Sequence, residues 1–315
     1  MVGSLDPKLF RPEAISPETA AFNAQLEAMF ATLPPAYTQE PQKIREGREA
    51  GKGIFGPIVR SPMARDRSIE GPGGPLPLRV FVPDTIRGVY LHIHGGGHVL
   101  GRAHHSDERN EAIAHNCKVA VVSVDYRLAP EHPYPAGPDD CESAALWLVE
   151  HAKADFGSDR IMIGGESAGA HLAAVTLVRL RDRHSFTGFA AANMVFGVFD
   201  LSGTPSVRRW GDRELVLSAK TMQWFSDHFV PSDKRREPDV SPLYAGLAGM
   251  PPALFTIGTL DPLLDDSLFM HARWLAAGND SELAVYPGGV HGFTSFDYPL
   301  ARQANARINA FLTGE

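Results

Sequence analysis

From residue 89 onward the chain alternates short apolar runs with helical stretches, and this rhythm restricts its fold more than any other feature. Residues Val89–Ile93, 119–124, 160–164, 190–196, 253–257 and 283–285 are the predicted strands. The run 119–124 is dominated by valine, as a strand buried on both faces should be. Helices are predicted after the cap candidate Ser106 and over roughly 139–153, 168–180, 265–277 and 299–312. Alternating β and α units imply an α/β chain with a mostly parallel central sheet and helices on both faces.

Two regions depart from that rhythm. The first 55 residues read as helix and loop. Ser16-Pro17-Glu18 is a helix start, with a side-chain cap and then a proline whose missing N–H costs nothing. Ala21, Phe22, Leu26, Met29 and Phe30 follow at helical spacing until Pro34-Pro35, with Phe22 and Phe30 read as core-facing. A weaker helix covers about 42–50. Residues 64–70 and 76–82 alternate around Gly71-Pro72-Gly73-Gly74, which predicts a hairpin. The second region, 199–240, carries Trp210, Trp224, Phe225 and Phe229 among many charges and has no strand signal. An insertion there would lie above the strand carboxyl ends, where ligands bind in such sheets. Those four aromatics suit packing and substrate contact equally.

The chemistry begins at Gly165-Glu166-Ser167-Ala168-Gly169, a G-x-S-x-G turn between a predicted strand and a predicted helix. Glycines remove side chains that would collide, and the serine is pushed out above the sheet. With 30 glycines in 315 residues, this pattern alone is expected about 0.2 times by chance. His94-Gly95-Gly96-Gly97, at the end of another strand, is expected only about 0.01 times. Such a glycine run offers bare N–H groups to charge developing on a carbonyl oxygen, and the N–H after the serine, Ala168, supplies another donor. No Lys or Ser/Thr follows in phosphate-loop spacing, and the run does not continue as G-x-G-x-x-G.

A serine nucleophile needs a base, and the base needs an orienting carboxylate. His291, in Gly288-Gly289-Val290-His291-Gly292-Phe293, follows the last predicted strand. Asp261, in Gly258-Thr259-Leu260-Asp261-Pro262, follows the strand before it. All three residues therefore fall on one edge of the sheet. Asp265 and Asp266 compete with Asp261, which lies nearest its strand end, whereas Asp265 reads as a first-turn helix residue. Glu131 and Glu166 read as structural partners of the core loops, and Cys117 and Cys141 as small core hydrophobes.

Taken together, these motifs resemble the hormone-sensitive lipase-like family of α/β-hydrolases, in its bacterial esterase branch. The resemblance rests on His94 to Gly97, Asp125-Tyr126-Arg127-Leu128-Ala129-Pro130-Glu131, Gly165 to Gly169, Asp261-Pro262-Leu263-Leu264-Asp265 and His291-Gly292-Phe293, spanning roughly 60–315. It implies the α/β-hydrolase fold with a helical cap: residues 1–55 as N-terminal cap helices, 199–240 as a cap insertion, and 56–198 with 241–315 as the catalytic domain. It implies Ser167 as nucleophile, His291 as base, Asp261 as its partner, and Gly96, Gly97 and Ala168 as oxyanion-hole donors. It implies a serine carboxylesterase for short to medium acyl esters, with no cofactor. Another acyl hydrolase (amidase, lactonase or deacetylase) is the alternative, and a non-catalytic receptor would be expected to lack a triad member. Two positions depart from the family: His98 stands where a large aromatic is common, and Glu166 where the commonest branch has Asp.

His92, His94, His98, His104 and His105 form a dense group. No carboxylate or cysteine lies at a familiar ligand spacing and His94 belongs to the glycine motif, so no metal site is expected. His94 is expected to pin the glycine loop through hydrogen bonds. The net charge of −7 argues against a nucleic-acid partner. No run approaches the ~18 apolar residues of a membrane span, and the opening residues show no signal-peptide pattern. Two cysteines make no disulfide framework, so a cytoplasmic protein is expected, with a small-molecule ester as its partner and a homodimer as an open possibility.

Overall fold

The N-terminal helices form where their start signals stand. A computed structural model describes residues 5–53 and 56–314. Residues 1–4 and 54–55, which belong to the expected start and to the edge of the N-terminal segment, lie outside the described residues. Helix α1 (Pro17–Phe30) begins at Ser16, whose Oγ accepts the Thr19 backbone N–H at 3.1 Å. Helix α2 covers Pro41–Glu49.

The predicted hairpin is β1 (Arg65–Gly71) and β2 (Gly74–Phe81), paired antiparallel. The alternating units follow: β3 (Val89–Ile93), α3 (Asp107–Cys117), β4 (Ala120–Val124), α4 (Ala136–Phe156), β5 (Ile161–Glu166), α5 (Ala168–His184) and β6 (Ala191–Val195). The 199–240 segment then supplies α6 (Pro205–Arg209) and α7 (Ala219–Phe229). Finally come β7 (Ala253–Leu260), α8 (Leu264–Ala276), β8 (Ser281–Val290) and α9 (Pro299–Thr313).

The eight strands make one sheet, ordered β1-β2-β4-β3-β5-β6-β7-β8, and every pairing from β4 across to β8 is parallel. Alternate residues of each strand face opposite sides. Leu91, Ile93, Val122, Val124 and Ile163 pack with Leu148, Leu172 and Trp274 of α4, α5 and α8. Tyr90, Val121 and Met162 pack on the other face with Ile113 of α3 and Ile308 of α9. Cys117 and Cys141 are both buried. A third apolar cluster, including Val99, Val198, Leu201, Leu217 and Phe229, lies between the 199–240 segment and the sheet's carboxyl edge. Among the described residues no helix is long and apolar enough to cross a membrane.

Three local features differ from the sequence expectation. Strand β8 runs through Gly288-Gly289 to Val290, because pairing with β7 continues to Leu260 across a register shift. Ser106 does not cap α3. Its neighbour Asp107 takes the polar role, accepting from Ser61 N at 2.9 Å and from Arg79 Nε at 2.6 Å. In α1, Phe22 stacks on Tyr298 at 4.2 Å, but Phe30 lines the central cavity rather than the core.

Candidate active site

Ser167, Asp261 and His291 each occupy the first position beyond a strand: β5, β7 and β8 respectively. Ser167 is held at φ 55°, ψ −119°, in the left-handed half of the map that a β-carbon disfavours. Two fixed neighbours impose it. The Ser167 N–H donates to Val195 O at 2.9 Å, and the Ser167 carbonyl accepts the His171 N–H at 3.1 Å to start α5. A Cβ at Gly165 or Gly169 would overlap the Ile93 carbonyl oxygen, so the glycine spacing is a requirement of close packing between β3, β5 and α5.

The three side chains converge. Ser167 Oγ lies 2.9 Å from His291 Nε2, and His291 Nδ1 lies 2.9 Å from Asp261 Oδ2. Asp261 is 1% exposed, and its other oxygen accepts the Leu263 N–H at 2.9 Å. The aspartate is therefore fixed on both oxygens, which leaves Oδ2 for the imidazole. The Phe196 ring meets the imidazole edge-on at 5.0 Å and shields it from one side. A carboxylate at Nδ1 keeps the proton there and turns the Nε2 lone pair toward the serine hydroxyl.

The two competing aspartates go elsewhere. Asp265 Oδ2 accepts the Ser206 N–H at 2.7 Å. Asp266 is fully buried and accepts from Phe199 N, Asp200 N and Thr204 Oγ1 at 2.7, 2.9 and 2.7 Å. Burial pushes its carboxyl up to about 7 despite these three donors. Both residues hold the start of the 199–240 segment. Its far end is tied by Asp239 to Arg179 of α5, at 2.7 Å.

Beside Ser167 lies the glycine loop. His94 Nδ1 donates to Gly95 O at 2.8 Å and the ring stacks on Tyr126 at 4.2 Å, so His94 does pin the loop. The Asp125 to Glu131 motif braces the same loop from β4. Tyr126 Oη donates to His94 O at 2.9 Å, and Asp125 accepts from Ala103 N at 3.0 Å. Gly97 sits at φ 62° with the Phe225 ring of α7 pressed against it, where a Cβ would overlap that ring. Glu166 turns away from the serine. Burial alone would raise its carboxyl, but Arg109 at 2.5 Å and His92 at 3.1 Å hold it at about 2. Arg109 also donates to Ser295 Oγ at 2.6 Å, so this network joins the elbow to the loop after His291.

His98 has a partner that no local pattern reveals. His171 Nε2 donates to Val240 O at 2.7 Å, which leaves its Nδ1 free to accept from His98 Nε2 at 2.9 Å. His98 also stacks on Phe229 of α7 at 4.0 Å. Burial pushes His98 well below its ordinary value and His171 down to about 4. Both imidazoles are therefore neutral near pH 7, as the donor–acceptor chain requires.

Ser167 and His291 open onto a cavity of about 1470 Å³. The glycine loop forms its floor. Leu201, Leu217, Met222 and Phe225 of the 199–240 segment cover one side, and Phe30, Leu33 and Ile44 of the N-terminal segment another. Trp224 packs on Phe225 and His228, while Trp210 donates to Arg213 O at 3.0 Å. Of the four flagged aromatics, Phe225 is the one on the cavity wall. The site thus combines an activated hydroxyl, a glycine loop and an apolar chamber, the apparatus of acyl transfer.

Known proteins carry the same plan. The family model of the alpha/beta hydrolase fold matches residues 90–295. The ethyl acetate hydrolase of Pseudomonas putida is 32% identical over 294 residues, covering 89% of this chain and 92% of that one. Carboxylesterase NlhH of Mycobacterium tuberculosis is 37% identical over 251 residues, covering 74% and 76%. Among solved structures, a hyperthermophilic esterase from the archaeon Pyrobaculum calidifontis has a TM-score of 0.86 at 32% identity, covering 95% of this chain and 98% of that one. On its motifs, its sheet order and these relatives together, the chain belongs to the hormone-sensitive lipase-like family of α/β-hydrolases.

Proposed function

We propose that this carboxylic ester hydrolase works through Ser167, His291 and Asp261 by an acyl-enzyme route. The observation that carries the reading is the unbroken chain of 2.9 Å contacts from Ser167 Oγ through the imidazole to Asp261. His291 Nε2 takes the serine proton as Oγ attacks the ester carbonyl, and the C–O π pair moves onto oxygen. The N–H groups of Gly96, Gly97 and Ala168 stabilise that oxyanion, each contributing about 3 kcal/mol. As the tetrahedral intermediate collapses, the imidazolium gives its proton to the departing alkoxide. A water, deprotonated by the same imidazole, then attacks the acyl-serine, and the acid leaves. Asp261 keeps the Nδ1 proton in place and offsets the imidazolium charge.

The substrates proposed are short to medium acyl esters. Leu201, Leu217, Met222 and Phe225 offer an apolar lining suited to an alkyl chain. Residues 1–55 and 199–240 are proposed as the cap over a catalytic domain of 56–198 and 241–315, and such a cover disfavours bulky lipid aggregates. The test is Ser167→Ala against a chain-length series of p-nitrophenyl esters, with fluorophosphonate labelling in parallel. Loss of both hydrolysis and labelling with an unchanged Tm is expected; hydrolysis near the wild-type rate refutes the assignment. A series peaking at long acyl chains would overturn the proposed substrate range.

A further inference from the structure

Two of the five clustered histidines take no part in the ester-cleaving apparatus. His104 and His105 lie on the single turn Ala103–Ser106 that leads into α3. Both Nε2 atoms reach the same oxygen of Glu49, at the end of α2: 2.9 Å from His104 and 2.8 Å from His105. The imidazole planes stand at 84° with centroids 4.5 Å apart, so the two nitrogens aim at one point from different directions. The imidazole side chains are only 15% and 12% exposed, whereas Glu49 is 43% exposed. Two neutral nitrogens and a carboxylate oxygen therefore converge with one side open to solvent, and their donor atoms all lie within 4.8 Å of one another.

We propose that Glu49, His104 and His105 form a binding site for a borderline divalent transition metal, Zn²⁺ or Co²⁺, which clamps the end of α2 to the turn behind the glycine loop. Imidazole nitrogen with carboxylate oxygen is a donor set that Zn²⁺ and Co²⁺ accept, three protein ligands leaving a fourth position to water. In a tetrahedral ion with bonds of about 2.1 Å, ligand atoms stand roughly 3.4 Å apart. The two contacts to Glu49, 2.9 and 2.8 Å, must therefore lengthen by about half an ångström, which the flexible Glu49 side chain can supply.

Without an ion, Glu49 accepts from both Nε2–H groups. When an ion binds, each imidazole moves its proton to Nδ1 by way of solvent and gives the Nε2 lone pair to the metal, so no net proton is released. Burial lowers both imidazoles from their ordinary value, which keeps them neutral and free of proton competition near pH 7. Arg60 stands 3.8 Å from Glu49 Oε2 and so attends the oxygen that the histidines do not use. The charges of Arg48 and Asp125 also reach the pair, from α2 and from the end of β4.

The position gives the site its consequence. Helix α2 forms part of the cavity wall through Lys43, Ile44 and Gly47. Arg45 also ties it to the body, donating to Val99 O at 2.8 Å and Ala129 O at 2.6 Å. A metal at Glu49 would strengthen the tie that the two imidazoles already make one turn further on, at the same wall.

The test uses untagged, chelator-stripped full-length protein titrated with Co²⁺ and Zn²⁺. Saturable binding of one ion per chain is expected, with a visible Co²⁺ absorption band and a higher Tm in Zn²⁺. Glu49→Gln should weaken Zn²⁺ binding at least tenfold, and the double variant His104→Ala/His105→Ala should abolish it. Metal-free p-nitrophenyl ester hydrolysis by the double variant verifies that it folds, and Ser167→Ala should bind Co²⁺ as the wild type does. The proposal is overturned by no saturable binding at millimolar Zn²⁺, or by binding that both the Glu49 and the histidine variants leave unchanged. Neither result bears on the triad.

Discussion

Replacing Asp261 by asparagine removes a charge while keeping the shape, and its expected cost follows from the two hydrogen bonds of the aspartate. Oδ1 accepts the Leu263 N–H and Oδ2 faces His291 Nδ1, both at 2.9 Å, with the side chain buried. An asparagine that keeps its oxygen on Leu263 turns its NH₂ toward Nδ1. The imidazole must then carry its proton on Nε2, pointing at Ser167, and can no longer act as base. The flipped rotamer restores the tautomer but sets NH₂ against a buried N–H, at a cost of about 1–3 kcal/mol, and still offers the imidazolium no charge. In serine-hydrolase triads this exchange lowers kcat about 10⁴-fold, or about 5 kcal/mol at 1.36 kcal/mol per decade. Initial rates on p-nitrophenyl butyrate, with Tm as the control for folding, measure it. Asp265→Asn, at a side chain that accepts the Ser206 N–H, should stay within a few-fold of wild type. An Asp261→Asn enzyme within tenfold of wild type, or an Asp265→Asn enzyme equally impaired, refutes the reasoning.

Two other perturbations probe the supports of the site. Asp266 has a folded value of about 7, above the ordinary carboxylate value near 4, so the folded protein binds the extra proton between them. Its contribution to stability is present below about pH 4 and is lost as pH rises through 7; Asp266→Asn should flatten this component of Tm between pH 5 and 8, and parallel curves for the two proteins would contradict it. Gly97→Ala places a Cβ into the Phe225 ring at a positive φ and should lower kcat/KM at least tenfold. Adding Phe225→Ala removes the collision but not the backbone cost of about 1 kcal/mol, so partial recovery is expected, and no recovery would locate the damage elsewhere.

What could be read from the sequence were the parts whose chemistry is local. Gly165 and Gly169 are demanded by the Ile93 carbonyl, and a strand–turn–helix carries its own signature, so Ser167 was legible. Asp261 and His291 were legible because each directly follows a strand, which fixes the edge of the sheet they face. The limits of β8 were not, since Gly288-Gly289 reads as loop while pairing with β7 carries the strand through it. Contacts between distant segments left no trace either. His98 meets His171 73 positions on, and Glu49 meets His104 55 positions on. Reading the histidine cluster by spacing alone found no carboxylate near it, because that carboxylate arrives on another helix.

The same division separates what is rigid at the site from what can vary. Ser167, His291 and Asp261, the proposed triad, leave three strands of one hydrogen-bonded sheet, so ladder register sets their distances, and moving one would cost several backbone hydrogen bonds. The chamber proposed to receive the acyl chain is walled instead by helices, tied down by a few polar anchors: Asp265, Asp266 and Arg179 for one wall, Arg45 for the other. Breaking one such anchor shifts a wall without disturbing the triad. Substitutions at the anchors should therefore act first on KM and on the preferred chain length, and substitutions at the strand ends on kcat.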